Sequence, residues 1–439
     1  MNTSLHPVSP WLARIVAVKP GEARALLWSF AYFFFLLASY YVLRPVRDEM
    51  GLAGGIKNLP WLFTATFFVM LAAVPLFGAL VARLPRRRFI PLVYHFFALN
   101  ILAFWLLLTF KVALADTARV FFVWISVFNL FAVSVFWSFM ADLYRSEQGK
   151  RLFGFIAAGG SAGALLGPLL AVTLAESLGR ANLLLIALVL LEAAVLCAMR
   201  LESAASALKA EDAPSVANLP EPELGGGWIA GLGMVLRSPY LAGIALWVAL
   251  LSLAGTFLYF QQLGIVAAMS DDPNRRTAIF ARIDLAVSLL TILVQFLATG
   301  RLIRRFGAGP AAALLPLVFA AGFLALALTP MLWVVIAFQA LQRAANFAIS
   351  NPAREVLFTV LAREEKYKAK YVIDNVVFRG GDAASGWLYH ALRGSGMEPS
   401  TISLATVPVA AAWLALALLL GREHERRSPK DSSSTSAEK

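Results

Sequence analysis

The chain has 439 residues, of which 60% are apolar and 15% charged, with a formal net charge of +12. Soluble domains hold about 45–50% apolar and about 25% charged residues, so a soluble core of this length could not hide so much apolar surface; hydrocarbon can, and the class is an all-α, multi-pass membrane protein. The one cysteine, Cys197, allows no internal disulfide and no cysteine-type metal site, and the excess of basic residues is what cytoplasmic loops carry, so neither a metal, a cofactor nor a nucleic-acid partner is expected.

In chain order, the first apolar run covers 25–43. It is longer than the core of a cleaved signal and is preceded by 24 residues, so it reads as a span. It closes on SYYVLRPVRDEMG, 39–51, where Arg44, Arg47, Asp48 and Glu49 arrive together. About 20 apolar residues cross the hydrocarbon as a helix, and on that length the remaining spans fall at 60–81, 89–110, 119–141, 153–175, 181–199, 240–262, 278–299, 310–329, 331–351, 371–391 and 402–420, twelve in all. The amino terminus, the loops after even-numbered spans and the carboxyl tail carry 26 of the 38 Lys and Arg. The opposite loops, with Arg119 and Arg282 at the adjoining span ends, carry 10, and Arg343 and Arg379 lie deeper within spans. Positive charge stays on the cytoplasmic side, so both termini are expected there. In a bacterial chain that side belongs to the inner membrane.

The stretch SAASALKAEDAPSVANLPEPELGGG is small, polar and rich in Pro and Gly, as a flexible linker is. It divides the chain into a six-helix half at 1–200, a cytoplasmic linker at 201–237, a second half at 238–421 and a disordered tail at 422–439. The halves echo each other. GALVARLPRRR follows span 2 and GRLIRRFGAG follows span 8, with Gly78 and Gly300, and Arg83 and Arg305, at equal separations. Spans 5 and 11 bear the small-residue runs AAGGSAGALLGP and RGGDAASG, which let helices approach closely.

Ionisable groups in hydrocarbon are costly and mark cavities or packed polar contacts. Span 10 carries Gln339, Arg343, Asn346 and Ser350 at helical spacing. Span 11 carries Asn375, Arg379, Asp382, Gly386 and Tyr389, with Asp374 beside them, and span 8 carries Asp284. On span 1, Ser29, Tyr32, Tyr40, Arg44 and Arg47 share a face. Two readings stand side by side. The arginines and Asp284, Asp374 and Asp382 neutralise each other as structural pairs, Arg379 with Asp382 at i,i+3 for instance, or the arginines attract an anion and the aspartates carry coupling protons. Glu192 is the exception in span 6, and either snorkels or packs on a neighbour.

Two six-helix halves, a cytoplasmic linker and a basic loop after the second helix of each half resemble the major facilitator superfamily. The resemblance implies that helices 1 and 10 line a central cavity, that helix 11 flanks it, and that the two basic loops around Gly78, Arg83, Gly300 and Arg305 gate it. The loop motif's aspartate is replaced here by Ala82 and Arg304. Within that architecture, VLRPVRD and KYVIDNVVFRGGD resemble segments of the nucleotide translocases, the ATP/ADP exchangers of plastids and intracellular bacteria. The match places that family's binding lysine at Arg47, and its span-11 pattern on Ile373, Asp374, Val376, Val377 and Arg379, with Asp382 where a lysine stands. The resemblance implies a secondary transporter of a small anionic solute, a nucleotide or another phosphorylated metabolite; together with the polar stripes it makes Arg44, Arg47, Gln339, Arg343, Asn346 and Arg379 the expected ligands, and a monomer is the expected unit. The alternatives are proton-coupled export of an amphipathic compound through Asp284 or Asp382, and a receptor or assembly factor that does not transport. No phosphate loop and no catalytic constellation is present, so an enzyme is not expected.

Overall fold

The computed structural model describes residues 18–19, 22–83, 86–211, 228–297 and 308–428. Every regular element among them is helical: α1 (Glu22–Ala53), α2 (Leu59–Arg83), α3 (Arg86–Thr109), α4 (Leu114–Leu143), α5 (Ser146–Leu178), α6 (Arg180–Glu211), α7 (Trp228–Arg237), α8 (Pro239–Met269), α9 (Pro273–Leu297), α10 (Ala308–Leu328), α11 (Leu332–Ala345), α12 (Asn351–Leu357), α13 (Arg363–Tyr371), α14 (Phe378–Gly394) and α15 (Pro399–Arg427), with short 3-10 and π turns between some of them. Among the described residues, eleven helical stretches are long and apolar enough to cross a bilayer. The remaining expected span, 371–391, corresponds to the π turn Val372–Val377 followed by α14. It is the most polar of the twelve, because it carries Asp374, Asn375, Arg379 and Asp382.

Two compact units partition the chain: 1–221 with 266–288, and 222–265 with 289–439. In the first, α1 is the central helix, with α4, α5 and α6 against it. The small-residue run of α5 makes the contact with α1 possible. A Cβ at Gly159, Gly163 or Gly167 would fall 2.5 Å from the Phe30 carbonyl, 2.2 Å from that of Phe34 and 2.8 Å from that of Ala38. These three glycines recur every fourth residue and form a track along which the α1 backbone lies. The rest of this core is aromatic. Phe33 stacks on Phe136 at 4.1 Å, Phe97 meets Phe128 at 5.1 Å, and the Tyr32 and Tyr94 hydroxyls are 2.6 Å apart. Ser29 and Tyr32 belong to this packing: both are buried, and Ser29 shares a hydrogen bond of 2.9 Å with the Tyr144 hydroxyl. The face read on span 1 therefore splits, its early members packed in the core and its later members charged. Glu192 packs on a neighbour: its carboxylate lies 3.4 Å from His95 of α3.

The first helix does not stop at 43. It runs to Ala53, through Pro45, and ends where Gly54 donates to the Met50 carbonyl at 2.8 Å and Gly55 takes φ 92°. RPVRDE is therefore helix interior, not a terminator. Apolar content ends at residue 43, but buried partners for the charges carry the helix onward.

In the second unit, α10 and α15 pair closely, and Trp247, Phe319, Phe323, Phe338 and Trp413 fill the core beside them. Two helical stretches carry π turns: Asn346–Ser350 between α11 and α12, and Val372–Val377 between α13 and α14. In the first, the Asn351 amide reaches back five residues to the Asn346 carbonyl. Pro352, the next residue, has no amide to donate, and its ring crowds the carbonyl four residues back, which opens the preceding turn. The helix α7 occupies 228–237, within the range read as linker, and packs on α13. Gly78 is exposed in α2 and Arg83 is that helix's last residue, while Gly300 and Arg305 lie outside the described residues.

Candidate functional site

Sequence reasoning singled out charges at the end of the first helix and in spans 10 and 11. The structure gives each group specific partners.

The first group lies in the first unit, on the last three turns of α1. Arg44 is partly buried and its Nη1 stands 3.6 Å from Asp284 Oδ1 on α9; the aspartate side chain is 2% exposed. The Arg44 guanidinium also lies 5.7 Å from the Tyr41 ring. Arg47 donates twice to its neighbour Asp48, through Nε at 2.9 Å and Nη2 at 2.6 Å, and its guanidinium sits 5.3 Å from the Phe122 ring. Glu49 is buried against Arg180 at the start of α6, and the Arg180 amide donates to Asn274 Oδ1 at 2.9 Å at the start of α9. Two arginines of α1, two acids of α1, Arg180 and Asp284 thus alternate in sign. An uncompensated charge in such a place would cost several kcal/mol, so the alternation is what permits burial. Glu49, Arg180 and Asn274 were not among the expected site residues. Glu49 stood in the quoted stretch, but Arg180 and Asn274 lie on the first turns of α6 and α9, just outside the expected spans, where apolar periodicity does not reach.

The second group lies in the second unit. Arg379 and Asp382 on α14 are 3.7 Å apart, as their i,i+3 spacing suggests. Two hydroxyls of α8 reach the same carboxylate: Ser252 Oγ lies 2.6 Å and Thr256 Oγ1 3.4 Å from Asp382 Oδ1. Asp374, in the π turn, pairs at 3.0 Å with Arg354 of α12, and Lys370 pairs beside it with Glu355 at 2.5 Å. Arg354 was not among the candidates, because it sits past the apolar end of span 10. Gln339 is buried in a ladder of amides: its Nε2 donates to Gln262 of α8, and it accepts from Gln342 Nε2 at 2.8 Å. Arg343 is half-buried and has an interaction partner, and Asn346 opens the first π turn with its Oδ1 buried and without a hydrogen bond. The stripe Gln339, Arg343, Asn346, Ser350 was read at 3.6 residues per turn. A π turn is wider, so Ser350 falls out of that register, and its buried Oγ likewise makes no hydrogen bond.

Chemically, these arrangements hold guanidinium groups inside hydrocarbon-spanning helices together with carboxylates and neutral amides. No nucleophile poised beside a base is among these groups. Many long apolar helices with ion pairs between them define a multi-pass membrane protein. The Major Facilitator Superfamily profile matches residues 30–273, more than half the chain, and the protein belongs to that superfamily. It is 24% identical over 244 residues to ADP,ATP carrier protein 2 of Chlamydia pneumoniae; the match covers 50% of this chain and 45% of the carrier, so it spans less than half the length of that relative. Solved structures share the fold. A POT family peptide transporter aligns with a TM-score of 0.61 at 15% identity over 93% of this chain and 98% of its own. The nucleoside transporter NupG aligns at 0.60 and 12% identity, over 92% and 99%. A bacterial homologue of the human lysosomal transporter Spinster aligns at 0.56 and 15%, over 94% and 100%.

Proposed function

We propose that this protein is a secondary transporter of an anionic solute, a nucleotide or another phosphorylated metabolite, working by alternating access. The observation that carries the reading is the presence of Arg47 on α1 and Arg379 on α14, in a chain similar to an ADP,ATP carrier. A guanidinium suits phosphate because its planar fork donates two parallel hydrogen bonds. Arg47, Arg343 and Arg379 are its principal ligands, with Gln339 and Asn346 beside them. Arg44 belongs with Asp284. Asp374 and Asp382 act as counter-charges.

The topology proposed with it has twelve spans, both termini in the cytoplasm of a bacterial inner membrane, halves at 1–200 and 238–421, and a monomer as the working unit. The 26-to-10 distribution of Lys and Arg supports the orientation. The test is a thermal-shift screen of purified protein against ATP, ADP, hexose phosphates, dicarboxylates and neutral nucleosides. A ligand that binds the folded state raises the melting temperature, by the equivalent of about 2.7 kcal/mol at one hundred times its Kd. Phosphorylated compounds are expected to stabilise and nucleosides are not; stabilisation by neutral or cationic compounds alone would refute the reading.

A further inference from the structure

Among the partners of Asp382 are two of different kinds. Arg379 stands 3.7 Å from one of its oxygens, too far for a hydrogen bond, while Ser252 Oγ is only 2.6 Å from the other. Thr256, one turn along α8, adds a second, longer hydroxyl contact at 3.4 Å. Ser252 and Thr256 are both almost wholly buried. The approach of α8 to α14 depends on Gly381, beside the aspartate: a Cβ there would fall 2.9 Å from Ser252 Oγ and 3.1 Å from Ser252 Cβ. The carboxylate is thus held firmly from α8, and the arginine is held loosely by charge. The guanidinium's fork is not consumed by this carboxylate, so its donors can turn to an incoming anion.

We infer that Ser252, with Thr256, is a positioning residue that fixes Asp382 as an internal counter-charge for Arg379, so that the unloaded transporter carries its own anion and can change conformation without cargo. The inference rests on the anion-transport reading and extends it to the mode of transport. An arginine without a compensating anion is costly to enclose in a water-excluding, low-dielectric intermediate. A carrier with such an arginine returns only when loaded, which makes it a strict exchanger. Here the clamped carboxylate supplies the compensation, an arriving anion displaces it, and net transport in one direction becomes accessible.

The decisive experiment reads the empty protein. Spin labels are placed at Val112→Cys and Gly394→Cys, both exposed and both on the expected outward side, one in each half, in a Cys197→Ala background. Their distance distribution is measured in liposomes with no solute, then with ATP. The parent protein should populate two distances when empty. Ser252→Ala removes one hydrogen bond to a charged group and should shift the ratio of the two empty populations by about tenfold. Ser252→Thr should restore the parent ratio. The doubly neutral Arg379→Gln/Asp382→Asn protein should show the parent ratio when empty and no response to ATP. The inference is overturned if Ser252→Ala leaves the empty populations unchanged, or if Ser252→Thr fails to restore them. If Ser252→Ala does not fold, the doubly neutral protein decides: a departure from the parent ratio overturns the inference. An absence of any ATP response in the parent counts against the nucleotide reading alone, since the empty populations are read without it.

Discussion

Arg44 and Asp284 test the account at the scale of single residues. Asp284 is buried and Arg44 largely so, and no sequence rule names them as partners, since 240 positions separate them. Removing one member leaves an uncompensated buried charge, which costs about 3–5 kcal/mol, whereas removing both together is far milder. Arg44→Ala is therefore expected to lower the melting temperature in detergent sharply, and Arg44→Ala/Asp284→Ala to recover most of the loss. If the double variant is as unstable as the single one, the pair is not what holds the end of α1. The same reasoning separates Arg44 from Arg379. Arg44 faces a carboxylate almost wholly buried on another helix, and the proposed role for that pair is structural. Arg379 faces a carboxylate on its own helix that Ser252 also holds, and the proposed role for Arg379 is that of a ligand.

At the scale of elements, the α1–α5 contact rests on glycine. Gly163→Ala would push a methyl group into the Phe34 carbonyl, 2.2 Å from the ideal Cβ, and is expected to destabilise by about 3 kcal/mol because a backbone cannot turn aside as a side chain can. Gly78→Ala is the control: nothing lies within 4 Å of its Cβ, so it should be neutral or stabilising by up to about 1 kcal/mol. Thermal denaturation of the two purified variants against the parent checks both. A close helix approach at AAGGSAGALLGP was legible in the sequence, but its partner, α1, was not, because the run carries no mark of which backbone it meets. The helices themselves were legible for the same reason: length and hydropathy alone determine what can cross hydrocarbon. The extension of α1 to Ala53 was not, because hydropathy drops at Arg44 and only the partners Asp284 and Arg180 keep the segment buried. Nor were the π turns, since periodicity analysis assumes a constant turn width. The i,i+3 pair Arg379–Asp382 was legible, but its clamp by Ser252 was not, because it joins residues 130 positions apart.

At the scale of the whole molecule, orientation is the first question. Single cysteines at Ser203 and Gly394, in a Cys197→Ala background, should respectively resist and accept an impermeant thiol reagent applied to whole cells. Labelling at Ser203 would reverse the topology derived from the loop charges. The central claim is the charge of the cargo, and uptake of radiolabelled ADP and of radiolabelled adenosine into proteoliposomes tests it most directly. The account predicts saturable entry of ADP, inhibited by pyrophosphate and lost in Arg379→Gln, with adenosine excluded. Entry of adenosine with ADP excluded would contradict it.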